Sequence, residues 1–410
     1  MVLNFIKSSL NNRNRNYVFL AQIANAIIAL ISGKLIAIFI LPKDFGVYNL
    51  QFAAYTFFAT LLVSPFIQFI KATNNTLLPK IGSKPYFFTA LILAIVAFLG
   101  LITFLYFYYN LDDIVLVAIF LFFIVFSTFN KILSDYLNIN NKFILFSKLS
   151  VLESGIGLAF LWLFFVLGLS FAKDYQVLWL MQLFGIIIGI AFFVSKYKIF
   201  KPVFQISYKS FLKKYFQFAG PLMFLALWAW SNNYFDRYAI EYFLSMKEVG
   251  IYNASYSVGS KFFIMLSPIF MVFLTPLIYA VAKKEGKKNS VNKYGFYYIL
   301  AGIPILILIY LLRDVIGSLL LSENYEEGFT LIFWIALAYF ILTLTQLYEL
   351  IFYSEHKTKV ILISNIISAL SNIVMNIVLI PKYGIQGAAF ATCFSFLAHF
   401  CFMYYNFRKL

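Results

Sequence analysis

Charge is what this sequence has least of. Asp, Glu, Lys and Arg make up 12% of the 410 residues, about half their usual share in a soluble domain, and that shortage excludes a water-soluble fold. Histidine and cysteine are nearly absent as well: His356, His399, Cys393 and Cys401 are the whole complement. No metal site with Cys and His spacing can be built from them. The two cysteines lie about 12 Å apart along one predicted helix, too far to bridge. The sequence carries no G-x-S-x-G, no Walker A lysine and no aspartate-rich loop, nor a polar segment long enough for a catalytic domain. It is therefore expected not to be an enzyme and to need no cofactor. With ATP hydrolysis of its own excluded, energy comes from an H+ or Na+ gradient, from the substrate gradient or from a partner.

Apolar residues are what the chain has in excess, at 63%, with aromatics at 21%. A bilayer span needs about 20 apolar residues, and runs of that kind fall near Tyr17 to Leu41, Val47 to Ile70, Tyr86 to Tyr109, Ile114 to Ile132, Phe143 to Leu169 and Val177 to Val194. A second set follows near Phe218 to Tyr238, Val249 to Tyr279, Gly295 to Leu312, Phe329 to Phe352, Val360 to Ile380 and Gly387 to Tyr405. The reading is an all-α integral membrane protein of twelve transmembrane helices. The N-terminus has no short apolar region with a cleavage site, so the first span is expected to stay in the mature chain.

Net charge is +16. No basic cluster sits on a water-soluble module, so nucleic acid is not an expected partner. The cations instead gather in alternate loops, for example Lys80, Lys84, Lys142, Lys196, Lys198, Lys283 and Lys288, whereas the intervening loops hold Asp112, Asp113, Asp174, Glu241, Glu323 and Glu327. By the positive-inside rule the basic loops and both termini are cytoplasmic, where they also contact anionic headgroups. FLKKYFQF, from Phe211, alternates lysine with aromatics as an interfacial helix does. The expected plan is a six-helix half over 1–198, an interfacial linker over 199–217 and a second half over 218–410.

The halves repeat one another. KDFGVYN from Lys43 and KEVGIYN from Lys247 share Lys, Gly, Tyr and Asn, half a chain length apart, each just after the first helix of its half. Ser64 and Pro65 match Ser267 and Pro268, and KFILFS from Lys142 matches KVILIS from Lys359. An even number of spans per half relates the repeats by an axis along the membrane normal, a plan found in transporters that rock one half against the other. The substrate path is expected between them. The Gly and Tyr of the motif suit a tight turn and an interfacial anchor.

Ionisable residues inside spans are costly and face a cavity or a partner. Lys34, about 10 Å from the outer end of its helix, and Lys261, near mid-depth of the eighth, are the strongest candidates. Asp236 and Arg237 close the seventh helix, either as an outer-interface charge pair or as part of a site. Together Lys34, Lys261 and Arg237 are expected to form a cationic patch. Glu153 and Glu349, the carboxylates within spans, either carry a coupling proton or pair with a lysine, Lys148 standing near Glu153. His399 reads more as a packed polar residue than as a ligand.

NIVMNIVLIPKYGIQGAAFAT from Asn372, with Asn376, Pro381, Gly384, Gly387, Ala388 and Ala389, resembles the last two helices of the polysaccharide flippases in the multidrug, oligosaccharidyl-lipid and polysaccharide exporter superfamily. AGPL, NNYFDRYAI and VGIYNASYSVGSKF resemble the same family's seventh and eighth helices, and ILPKDFGVYNL its first outer loop. The resemblance implies a fold like that of the multidrug and toxic compound exporters. It also implies flipping of an undecaprenyl-pyrophosphate-linked oligosaccharide, for O-antigen, capsule or a related glycan, across a bacterial inner membrane by alternating access. A monomer working beside a glycan polymerase and export machinery is the implied assembly. A pyrophosphate needs fixed cations, which Lys34, Lys261 and Arg237 supply as an independent reading. The alternative is an ion-coupled drug or metabolite exporter of the same fold. A membrane-embedded glycan enzyme is a weaker third.

Overall fold

The computed structural model describes residues 13–74, 76–77, 84–168, 174–196, 208–265, 267, 275, 278–279 and 284–410. Among these residues there is no strand. Twelve long helices lie among the described residues: α1 (Arg13–Phe39), α2 (Pro42–Thr73), α3 (Lys84–Tyr109), α4 (Ile114–Ile139), α5 (Phe143–Val166), α6 (Gln176–Lys196), α7 (Tyr208–Phe243), α8 (Met246–Ile264), α9 (Lys284–Leu320), α10 (Phe329–Ser354), α11 (Thr358–Tyr383) and α12 (Ile385–Arg408). Ten of them are long and apolar enough to cross a bilayer. The other two are α7 and α8, which carry Asn232, Asn233, Asp236, Arg237, Asn253 and, in the last described turn of α8, Lys261. The least apolar helices are thus the ones loaded with polar groups.

Helix ends overrun the apolar runs that predicted them. α4 continues past Ile132 to Ile139, and α9 occupies Lys284–Leu320 where the run covered only Gly295 to Leu312. A membrane sets the length of an apolar stretch, but Lys, Asn and Ser flanks keep forming helix in the headgroup region. Caps mark other ends clearly. Asp113 accepts from the amides of Val115 and Leu116 at 2.9 and 3.2 Å and so starts α4. Its second carboxylate oxygen takes Gln176 Nε2 at 2.8 Å, joining the start of α6 to that of α4. Gly384, at φ 60°, makes the one-residue turn between α11 and α12, a conformation glycine adopts without steric cost.

Two compact units result. One contains the described residues up to Ile40 with Gln51–Leu227; the other contains Leu41–Leu50 with Trp228–Leu410. Within the first, Trp179 of α6 is fully buried among Phe52, Tyr55, Phe120 and Phe123, and its indole donates to Gln51 Oε1 at 2.9 Å. α2 contains a π turn at Ala59–Val63, just before Pro65, whose missing amide breaks the regular ladder. Tyr215 Oη donates to the Leu62 carbonyl in that turn at 3.3 Å. Pro268, the counterpart of Pro65 in the repeat, lies outside the described residues.

The expected linker, 199–217, is described only from Tyr208, and from there its residues are the first turns of α7. Phe211 and Tyr215, one helical turn apart, bury themselves against Phe66, Phe69 and Tyr86, while Lys213 and Lys214 face outward. An i, i+4 aromatic pair on one face is a packing stripe.

In the second unit the two copies of the repeat motif meet. A Cβ added to Gly46 would overlap the Met246 carbonyl, and one on Gly250 would overlap the carbonyl of Pro42. The first turns of α2 and α8 thus cross glycine on glycine. Each copy also folds its Asn the same way: Asn49 Nδ2 donates to the Phe45 carbonyl at 2.6 Å and Asn253 Nδ2 to that of Val249 at 3.1 Å. Sequence identity at Gly and Asn is therefore identity of local structure. Ser245 caps α8 by accepting from the Lys247 amide at 3.2 Å, and its hydroxyl donates to the Glu248 carboxylate.

Candidate functional site

The polar residues of α7 and α8 assemble into one buried network. Asp236 and Arg237 are 2% and 6% exposed. Their ion pair runs from Arg237 Nη1 to Asp236 Oδ1 at 2.7 Å, and the same oxygen accepts the Arg237 amide at 2.9 Å. Asp236 Oδ2 takes the Tyr252 hydroxyl at 2.6 Å. Arg237 Nε donates to Asn253 Oδ1 at 2.9 Å, and Nη1 also reaches the Asn233 carbonyl. The guanidinium lies over the rings of Tyr234 and Tyr256, 5.0 and 4.7 Å from their centroids. Tyr256 and Tyr339 share a hydrogen bond of 2.7 Å, which ties the network to α10, while Tyr252 approaches Thr392 of α12 at 3.4 Å.

A buried charge persists when it is paired and hydrogen-bonded, and here Nε and Nη1 make three hydrogen bonds while two tyrosine rings flank the guanidinium. Asp236 and Arg237 do form a charge pair, and it is buried.

Lys261 contrasts with it. It is half-buried on α8, about 12 Å along the axis from Asn253, and has no ion pair or side-chain hydrogen bond among the described residues. Lys34 is half-buried on α1 and belongs to the first unit, whereas Lys261 and Arg237 belong to the second. The structure brings Arg237 to Asp236 and leaves Lys261 outside that network.

Both span carboxylates find partners other than lysine. Glu349 of α10 lies 3.2 Å from His399 Nε2 of α12, and Ser364 Oγ of α11 lies 3.1 Å from the same nitrogen. Glu153 of α5 accepts from Asn130 Nδ2 of α4 at 3.0 Å. It does not pair with Lys148: five residues along a helix is about 140° around it, so the two side chains leave from different faces. Glu153 packs instead toward α6, where a Cβ on Gly189 would overlap its side chain. Asn130 also lines a cavity of about 300 Å³ with Ser64, Gln68, Lys71, Lys131 and Ser134. At its edge Lys71 pairs with Asp135 at 2.8 Å.

Tyr252, Tyr256, Tyr339, Asn253, Thr392, Ser364 and Asn130 were not legible as site residues in the sequence. Tyr252 and Tyr256 did carry a signal: they stand one helical turn apart within and just after the repeated motif.

The model of one protein family, described as polysaccharide biosynthesis protein, matches residues 12–281. The chain belongs to that family. No curated protein matches it by sequence. Among solved structures it is similar to the lipid II flippase MurJ in an inward closed conformation, with a TM-score of 0.69 at 16% identity, over 96% of this chain and 87% of that one. It is also similar to an inward-facing multidrug resistance MATE transporter of the MOP superfamily, at 0.68 and 12% identity over 94% and 95%. The Vibrio cholerae MATE transporter VcmN gives 0.59 at 14% identity over 96% and 94%. At such identities the likeness establishes the fold, and the expected MATE-like helical architecture is the one found.

Proposed function

We propose that this member of the family is a flippase. It carries an undecaprenyl-pyrophosphate-linked oligosaccharide, destined for O-antigen, capsule or a related surface glycan, from the inner to the outer leaflet of a bacterial cytoplasmic membrane by alternating access. The observation that carries the reading is Lys261, a half-buried cation in the last described turn of α8 that has no ion pair or side-chain hydrogen bond among the described residues. An unpaired charge there costs roughly 2.5 to 3.5 kcal/mol on insertion scales, and a pyrophosphate is the kind of ligand that offsets it. From the sequence, Lys34 of α1 is assigned to an anionic ligand as well. Arg237 drops out, because its charge is already matched by Asp236. Family membership and the fold shared with a lipid II flippase support the lipid-linked substrate class. In this reading both termini are cytoplasmic, the protein works as a monomer beside a glycan polymerase, and an H+ or Na+ gradient supplies the energy.

The test is surface-glycan display in cells whose own copy is deleted and replaced by Lys261→Ala, Lys34→Ala or the double variant. Display is expected to fall in each single variant and to vanish in the double, with membrane insertion unchanged. Full display by the double variant overturns the cationic site. A second reading, ion-coupled export of a drug or metabolite, is favoured by one observation, the half-buried Glu153 beside a polar cavity. Drug accumulation that is the same with and without the protein removes it.

A further inference from the structure

Glu349 and His399 pair across two helices, and neither the cationic site nor the Asp236 network uses them. Both are buried, at 8% and 3% exposure, and a charged or half-charged pair is costly inside a membrane protein unless it has work to do. The hydrogen positions follow from the contacts. Ser364 donates its one hydroxyl proton to the Ile361 carbonyl at 2.8 Å. Its oxygen is then left to accept, so His399 Nε2 carries a hydrogen shared between Ser364 Oγ at 3.1 Å and Glu349 Oε1 at 3.2 Å. In neutral imidazole the other nitrogen is bare. That nitrogen, Nδ1, is buried and has no hydrogen-bond partner among the described residues.

We infer that Glu349, His399 and Ser364 form a proton-binding site of the second unit, with His399 Nδ1 as the atom that accepts the proton. Uptake of one proton from water converts imidazole and carboxylate into an imidazolium–carboxylate ion pair. Release returns a neutral ring that still donates from Nε2, so the geometry holds in both states. The donor set suits a proton and not a metal ion. Among the described residues no third His, Cys, Asp or Glu joins the pair, and hard cations want six or more oxygens.

The charged surroundings leave the pair to itself. On α10 Tyr353 lies within electrostatic reach of Glu349. α11 presents the hydroxyls of Ser364 and Ser368, the latter donating to Asn232 at 3.2 Å. Lys261 of α8 makes no ion pair with either member. Lys287 of α9 is committed to Glu355 at 2.7 Å. On α12 itself the next charge is Arg408, more than two turns away. Among the described residues the proton therefore meets one carboxylate and no competing cation. Coupling of this site to transport rests on the flippase reading above; binding of the proton does not.

Because the chain has two histidines, the site can be read directly. Full-length protein carrying 15N-labelled histidine, in detergent micelles, is titrated between about pH 5 and 8 while the imidazole nitrogens are followed by NMR, with His399→Gln assigning the signals. The His399 ring is expected to pass from the Nε2–H tautomer to imidazolium, and Glu349→Gln to weaken proton binding about tenfold by removing the adjacent negative charge. A His399 signal that never changes state overturns the site, as does a titration unmoved in Glu349→Gln. In parallel, glycan display is measured in cells at two external pH values with His399→Gln and Glu349→Gln. Loss of its pH dependence supports coupling. Titration with display indifferent to both variants overturns the coupling and leaves the proton site standing.

Discussion

Arg237 and Lys261 belong to the same unit and to consecutive helices, yet the fold treats their charges in opposite ways. Arg237 is enclosed by Asp236, Asn233, Asn253 and two tyrosine rings, whereas Lys261 meets no such partner. The difference separates two uses of a charge in a span. One is neutralised in place and joins helices; the other has no partner among the described residues and is the one proposed to meet an anion from outside. Burial alone ranks the arginine as the better site residue, and counting partners reverses that order.

The largest effect that can break this comparison is removal of the arginine's counter-charge. Asp236→Ala leaves Arg237 buried without its carboxylate, and breaking one side of such a pair costs about 3 to 5 kcal/mol. Loss of folded protein, or a steep fall in the midpoint of thermal unfolding in detergent, is expected, and Asp236→Asn falls between the two because it keeps Oδ1. An unfolding midpoint unchanged by Asp236→Ala would show that the network stabilises nothing, and the contrast with Lys261 would collapse.

Next in size is the crossing that positions α8. Gly250→Ala drives a methyl into the Pro42 carbonyl, and overpacking of that kind costs about 1 to 3 kcal/mol. Gly33→Ala on α1 meets nothing within 4 Å and is expected to be neutral or slightly stabilising, since Ala is the better helix former by about 1 kcal/mol. Thermal unfolding of the two variants side by side distinguishes a real crossing from a general intolerance of alanine.

These two experiments touch features of very different legibility. The spans were readable because a bilayer demands about 20 apolar residues and tolerates little else. Their ends were not, since polar flanks go on forming helix beyond the hydrocarbon, as at α4 and α9. The repeated Gly was visible as a motif, but its role was read as a turn, while the crossing partner of each glycine is the other copy of the motif. Asp236 and Arg237 were legible as a pair because they are adjacent. Glu349 and His399, on helices separated by α11, were noted singly and not together, for nothing in one sequence reports a contact across three helices. Proximity along the chain misled at Lys148 and Glu153, where the angle around the helix decides.

Lys261→Ala carries a smaller stability effect and of the opposite sign. Removing an unmatched charge from a span relieves part of an insertion cost of roughly 2.5 to 3.5 kcal/mol, so the unfolding midpoint is expected to hold or rise while glycan display falls. A variant that is both less stable and fully active would place Lys261 with Arg237 among the structural charges.

The smallest effect sharpens the comparison within the first unit. Among the described residues Glu153 has the one hydrogen-bond partner Asn130 on Oε2, and its Oε1 is buried without any. Glu153→Gln keeps the shape that Gly189 accommodates and retains a carbonyl oxygen for Asn130 Nδ2. A neutral hydrogen bond replaces a charge-assisted one, and a buried charge disappears, so the two changes oppose each other. The unfolding midpoint is expected to move little, by an amount equivalent to less than about 1 kcal/mol. Glu153→Lys does not fit: its longer side chain meets the wall at Gly189, and its ammonium would meet the donor Nδ2 of Asn130. If Glu153→Gln stabilises the protein while lowering transport, Glu153 joins Lys261 as a charge retained for use. If it changes neither, the carboxylate is a packed polar group, and the contrast with Arg237 rests on Lys261 alone.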